Sequence, residues 1–367
     1  MHYVRFLKPP YLDSEGDRNL VKCLITITTD LGESFYPQDV PLAATLRSHD
    51  PDGDIFLRRT LPWSQGMRSI PLAFDITNSD VDWPLRVHIG PKNSPFSDHF
   101  ESQHPGAPPA VISAWSGDIQ KAGADSESPR MVERRFTPFS DRIISIWEET
   151  GESIARHLWD AGVVLAGFLD RVVSLQEKDL PILERTLVSA TYKRLNVLEL
   201  GCGCGIVGIA MAQTIPDCSV ILTDTPEVEE IVTRNISNMN PAISSAVHFQ
   251  PLNWEAELPL RVRERTLDMI VAADCTYNPD SAQDLVRTIA ALVSRSPRAI
   301  VIISMKTRHP SEAIFFELLS AANLTQASHS SVALPDDDTP VDIFVYHSHD
   351  RPMTREKGDS SVLGKVQ

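Results

Sequence analysis

In the second half of the chain, short and almost wholly apolar runs alternate with longer stretches whose apolar residues recur at helical spacing. Runs of that length bounded by turn residues predict buried strands at 195–200, 219–224, 246–251, 268–273, 299–305, 324–333 and 341–348, with helices near 206–214, 226–239, 281–294 and 311–322. Strands alternating with helices predict an α/β fold, a mostly parallel Rossmann-like sheet with helices on both faces. The last two strands flank Asp336-Asp337-Asp338 and read as an antiparallel pair around a solvated turn. Upstream, Ile154, Leu158, Ala161, Leu165, Phe168, Leu169 and Val172 share one helical face, which predicts a helix from Glu152 to about Gln176. Residues 1–90 differ: short alternating runs (Val21 to Thr29, Ser69 to Thr77, Leu85 to Ile89) lie between prolines 37, 41, 62, 71 and 84 and predict a β-rich N-terminal region. Residues 91–140, rich in Pro, Ser, Gly and His, read as a long loop or partly disordered linker, 141–349 as the α/β domain and 350–367 as a polar tail.

The chemistry concentrates where the first of these strands ends. Leu195-Asn196-Val197-Leu198-Glu199-Leu200 runs straight into Gly201-Cys202-Gly203-Cys204-Gly205. Glycines there let the backbone turn tightly and approach a ligand, and the following helix offers free N–H groups at its start. The next strand ends in Asp224, a carboxylate placed to accept from both hydroxyls of a ribose. That is half of a nucleotide-type cofactor site. Gly203 to Gly208 fits G-x-G-x-x-G, so NAD competes, but the dinucleotide fingerprint starts at the first glycine after the strand and here it starts two residues late. Glu199 also stands beside the turn, where a pyrophosphate is repelled and the α-amino group of a sulfonium cofactor is welcome. S-adenosylmethionine is therefore favoured over NAD.

Composition narrows the setting. With 367 residues, 42% of them apolar, the chain exceeds one average domain, and its formal charge of −15 disfavours a nucleic-acid backbone as partner and suits a basic one. No apolar run approaches membrane-spanning length and no charged-then-apolar leader opens the chain, so no membrane is expected and the cytosol, with the nucleus besides, is the expected compartment. Five cysteines, two inside the glycine turn, argue against a disulfide framework, and Cys202 and Cys204 lack metal-ligand spacing, so no metal is expected.

Four motifs in order resemble methyltransferase family 16, the seven-β-strand branch that methylates protein lysines. Trp159-Asp160-Ala161 resembles its Trp-Asp-Ala helix, Glu199-Leu200-Gly201-Cys202-Gly203 its cofactor loop, Leu252-Asn253-Trp254 the tryptophan after the third strand, and Asp274-Cys275-Thr276-Tyr277 its Asp-x-x-Tyr motif after the fourth. The resemblance spans about 145–348 and implies a seven-stranded sheet with Trp159, Gly201, Gly203, Asp224, Trp254 and Ala273 lining the S-adenosylmethionine site. Physical chemistry adds Cys202, as part of the turn under the methionine portion, and Glu199, facing the amino group directly or through water. Asp274 and Tyr277, closing the fourth strand where open α/β sheets bind ligands, are the expected catalytic pair, the first orienting or deprotonating the amine and the second walling a narrow channel. The expected function is transfer of a methyl group to a lysine of a folded protein such as a translation factor or chaperone. The alternatives are methylation of a small molecule or nucleic acid, and cofactor binding without turnover. An aspartate after a strand also serves as a helix cap, although Asp280 or Ser281 is better placed for that here. Cys275 and Thr276 stand where the family carries aliphatic residues, and nothing in the family's catalytic part accounts for residues 1–140.

Overall fold

The computed structural model describes residues 1–349 apart from 51–52, 94–95, 102–107, 122–129, 152, 179 and 190–192. The expected polar tail, 350–367, lies outside the described residues.

The C-terminal part is built on strands β12 (Leu195–Leu200), β13 (Cys218–Asp224), β14 (Ala246–Pro251), β15 (Met269–Ala273), β16 (Ile300–Met305), β17 (Leu324–Leu334) and β18 (Asp337–Ser348), following eleven strands described below. They form one seven-stranded sheet in the order β14-β13-β12-β15-β16-β18-β17. All neighbours are parallel except β16 with β18 and β17 with β18, so β18 alone runs against the rest. Pleating sends successive apolar residues to opposite faces. Val197, Met269, Val271, Ile300 and Ile302 face α1 (Asp160–Val173), α2 (Pro181–Ser189), α3 (Ile206–Thr214) and α4 (Glu229–Asn238). Leu198, Leu200, Ile270, Val301 and Ile303 face α5 (Leu260–Arg263), α6 (Pro279–Arg295) and α7 (Ile314–Ala321). Burial on both faces is why β12, β13, β15 and β16 read as continuous apolar runs.

The N-terminal part comprises β1 (His2–Glu15), β2 (Arg18–Thr29), β3 (Val40–Ser48), β4 (Ile55–Trp63), β5 (Ile70–Asp75), β6 (Leu85–Pro91), β7 (Asp98–His99), β8 (Val111–Ile112), β9 (Ala114–Ser116), β10 (Met131–Thr137) and β11 (Ile144–Glu149). One sheet runs β5-β2-β1-β8 and a second β11-β10-β9-β6-β3-β4, with β7 on β10. Phe6, Ile25, Ile27, Leu46, Trp63, Phe74 and Val87 fill the core between them. Two expectations are corrected here. The stretch 91–140 is not a plain linker, since β7 to β10 lie within it and Arg134 and Glu133 are buried in the second sheet. Nor does the α/β part begin at 141, because β11 pairs with β10.

A third correction concerns 152–159. The helix starts at Asp160, preceded by a single 3-10 turn at Ile154–Arg156 and extended backbone at His157 and Trp159. Glu148, buried on β11, accepts the Leu158 N–H at 2.9 Å and so holds this segment off the helix axis. The two parts share one core: Met1, Tyr3, Phe136, Ile144 and Trp147 pack with Leu165, Val207 and Val232. The Tyr3 hydroxyl donates to Asp160 at 2.8 Å at the head of α1, and Asn235 of α4 bonds Trp147 on β11 in both directions.

Candidate active site

The first strand of the α/β part ends at Leu200, and the chain turns through Gly201, Gly203 and Gly205 at φ of 62°, 52° and 83°. Side chains are excluded there as well as strained: a Cβ on Gly201 would stand 2.5 Å from Cys275 Sγ, and one on Gly203 3.0 Å from the Ala155 carbonyl. Asp224, at the end of β13, accepts the Gly203 N–H at 2.8 Å and the Thr225 N–H at 2.7 Å, which fixes both turn and carboxylate. The turn's far side is tied by Asn235, which donates to the Cys204 carbonyl at 2.9 Å. Backbone and carboxylate together form a polar cradle on one side of a cavity of about 310 Å³ at the carboxyl ends of β12, β13 and β15.

All ten residues singled out from the sequence line this cavity: Trp159, Glu199, Gly201, Cys202, Gly203, Asp224, Trp254, Ala273, Asp274 and Tyr277. Trp254 closes the wall over Gly201, with its carbonyl held by Arg287 and Thr288 of α6. Glu199 is buried, and its Oε2 accepts the Gly208 N–H at 2.7 Å in the first turn of α3, so the carboxyl anchors the helix as well as facing the cavity. Burial, and the Asp224 charge after it, push its pKa up to about 8. The cap of α6 is Asn278, which accepts from the Asp280 N–H, rather than Asp280 or Ser281. Trp147, Glu148 and Glu149, upstream acids and aromatic close in sequence to the first motif, do not line the cavity: Glu148 pairs with Arg134 at 2.7 Å and Glu149 with Arg156.

Asp274 sits at φ 56° just beyond β15, its N–H on the Ser304 carbonyl at 2.8 Å. An aspartate tolerates this left-handed conformation, which turns the chain sharply at the strand end. Its carboxylate takes a hydrogen bond of 2.6 Å from Arg308, and the same guanidinium nitrogen donates to Asp30 at 2.9 Å. Burial raises the Asp274 carboxyl to about 7 because one cation is divided between two acids and Asp30 and Asp160 add like charge. Asp30 is also pushed up by burial, but Arg308 and Lys306 outweigh that and hold it below the usual carboxylate range. Tyr277 is 57% exposed and lines the cavity. The acidic triplet is not simply solvated either, since Asp337 pairs with Lys306 at 2.6 Å.

A family model described as lysine methyltransferase matches residues 138–322, half of the chain. A UPF0665 family protein of Schizosaccharomyces pombe is 30% identical over 320 residues, covering 86% of this chain and 91% of that one. The chain belongs to the lysine methyltransferase family. Within that family's range of names, Protein N-lysine methyltransferase METTL21A of Danio rerio is 28% identical over 208 residues, covering 56% of this chain and 82% of that one. Protein-lysine N-methyltransferase EFM2 of Saccharomyces cerevisiae is 23% identical over 180 residues, covering 46% and 42%. Among solved structures, magnesium protoporphyrin IX methyltransferase from Synechocystis PCC 6803 superimposes with a TM-score of 0.38 at 15% identity, over 55% of this chain and 86% of that one.

Arg308 and Asp30, two charged residues behind Asp274, are not evident from the sequence motifs. Arg308 follows the apolar run Ile300–Met305 at the carboxyl edge of the sheet, and the charges Lys306 and Arg308 directly after a buried strand were the available signal. Asp30 lies in the N-terminal part, 278 residues from its partner, and no local pattern reveals that pairing.

Proposed function

We propose that this chain transfers a methyl group from S-adenosylmethionine to a lysine side chain of a folded protein. The observation that carries the reading is one cavity that joins the Asp224 cradle to Asp274 and Tyr277 at the carboxyl edge of the sheet, where open α/β sheets bind ligands. The residues fit the cofactor. Asp224 offers acceptors to ribose hydroxyls, Trp254 a flat apolar wall for an adenine, and the glycine turn a surface onto which the methionine portion packs. When bound, S-adenosylmethionine supplies an electrophilic methyl group on a sulfonium.

The chain's own residues do the rest. Trp159 and Tyr277 narrow the opening so that an incoming amine is aligned rather than merely close. Only a neutral amine attacks, and Asp274, with a carboxyl pushed to about 7, is suited to accept a proton from it near neutral pH. Arg308 keeps that carboxylate in place and lowers the gain from holding a charged ammonium there. Relatives named for lysines of calmodulin and EEF1A support a protein as acceptor, and the net charge of −15 suits a lysine-bearing surface. The test is incubation of the full chain with tritiated S-adenosylmethionine and a cell extract, followed by gel separation. The expected result is a discrete labelled protein band, absent with Asp274→Asn, which still binds S-adenosylhomocysteine. Label confined to small molecules or to nuclease-sensitive material overturns the protein-lysine reading, and cofactor binding without any label overturns turnover.

A further inference from the structure

A second cavity, of about 530 Å³, opens beside the first and shares Trp159, Asp274 and Tyr277 with it. Its opposite wall comes from outside the family-matched segment: Leu7 on β1, and Leu31 and Gly32 in the turn after β2. We infer that this N-terminal wall completes the acceptor channel, so that the methylene stem of the target lysine lies between Leu7 and Leu31 on one side and Tyr277 on the other. The inference rests on the methyltransferase reading and adds to it a set of specificity residues from the β-rich part.

The wall is fixed in place relative to the reacting end. Arg5 of β1 donates to the carbonyls of Thr29 and Asp30 at 3.4 and 2.8 Å, which ties the turn to its neighbouring strand. Asp30, buried at the head of the turn, accepts the Leu31 N–H at 2.9 Å through Oδ1 and Arg308 at 2.9 Å through Oδ2. Arg308 in turn holds Asp274. A continuous ionic chain thus runs from the turn that carries Leu31 to the carboxylate at the methyl-transfer edge.

The chemistry of the walls selects the occupant. Leu7 and Leu31 are 55% and 46% exposed, and Tyr277 completes an apolar rim that solvent covers in the free chain. Beneath the rim, Arg308 is divided between the carboxylates of Asp30 and Asp274, and Arg5 donates to the backbone carbonyls of Thr29 and Asp30. An apolar rim leading to a group that accepts protons near neutral pH suits an aliphatic chain ending in an amine. A cavity continuous with the cofactor site suits the other reactant.

The probe is an S-adenosylhomocysteine analogue in which nitrogen replaces sulfur and bears a pentyl arm, compared with S-adenosylhomocysteine itself by calorimetry on the full chain. Burying the methylenes of the arm is expected to tighten binding by about tenfold or more. The paired change Leu7→Glu with Leu31→Glu is expected to abolish that gain and leave S-adenosylhomocysteine affinity unchanged, with Leu7→Ala and Leu31→Ala as a milder pair should the charges unfold the chain. An arm that gives no gain in the parent chain, or a gain that survives both pairs of changes, overturns the inference and leaves the methyltransferase reading standing. Failure of the parent chain to bind either compound defeats both readings at once.

Discussion

In the N-terminal β region, Glu133 lies between Arg86 and Arg135 at 2.7 and 2.8 Å, and Glu148 lies against Arg134 at 2.7 Å. At the carboxyl edge of the large sheet, Glu199, Asp224 and Asp274 face one cavity, and the guanidinium that reaches Asp274 is shared with Asp30. Burial alone would raise every one of these carboxyls. In the β region the arginines outweigh it, taking Glu133 down to about 2 and Glu148 well below the usual range. In the cleft burial wins, with Glu199 at about 8, Asp274 at about 7 and Asp224 raised. Buried charge that is matched within the fold is framework, whereas buried charge left short of cations is available to a ligand or a reaction.

The sharpest break of this contrast is Arg134→Met. Arg134 is fully buried and, besides Glu148, donates to the carbonyls of Val4 and Ser113 at 2.8 Å each. Its loss strands the Glu148 charge and is expected to cost about 3–5 kcal/mol of stability. The urea midpoint of the ligand-free chain reads this directly. A midpoint shift equivalent to less than about 1 kcal/mol, the range of an exposed ion pair, would place Glu148 among the cleft acids instead.

The corresponding change in the cleft has its effect on binding. Asp224→Ala removes acceptors that the fold uses for the Gly203 and Thr225 N–H groups and the Thr225 side chain. It is expected to weaken S-adenosylhomocysteine binding by about 1.5–3 kcal/mol, the worth of hydrogen bonds to a charged group. Calorimetry on a variant with parent-like circular dichroism checks it, and unchanged affinity removes Asp224 from the cofactor site.

The two regions also differ in how far they could be read from sequence. Apolar runs buried on both faces locate β12, β13, β15 and β16 to within a residue, and the glycine turn is legible because positive φ at Gly201 and Gly203 has a residue signature. The N-terminal sheets have no such code. Pro9 and Pro10 sit inside β1 where its register with β2 shifts, Pro41 and Pro62 lie at the ends of β3 and β4, and the exposed edge strand β4 lacks alternation. β10 stayed hidden because its buried residues include Glu133, Arg134 and Arg135, polar in sequence and paired only in space. The same reason concealed Asp30 and Arg308: residue types announce a charge, and only the fold announces its partner.

The effect that tests the contrast most closely is on the pH dependence of stability. A carboxyl raised by folding keeps a proton that the unfolded chain has lost, so stability falls as pH rises between the unfolded and folded values. For Glu199 that window runs from its ordinary value of 4.5 to about 8, and for Asp274 from 3.8 to about 7. Glu133 acts with the opposite sign: its contribution is present above 4.5 and is lost as pH falls toward about 2. The ligand-free chain should therefore be most stable near mildly acidic pH, declining on the alkaline side by at most about 1.4 kcal/mol per pH unit for each cleft acid. Glu199→Gln keeps an oxygen acceptor for the Gly208 N–H and removes the titration, so its urea midpoint should fall less between pH 5 and pH 8 (about three units, within the range where one group's protonation is worth that slope) and should exceed the parent's at the upper end. Asp274 is untouched, so part of the decline persists. If parent and Glu199→Gln midpoints run parallel with pH, Glu199 is ionised in the folded chain, and the cleft holds its acids as firmly as the β region does.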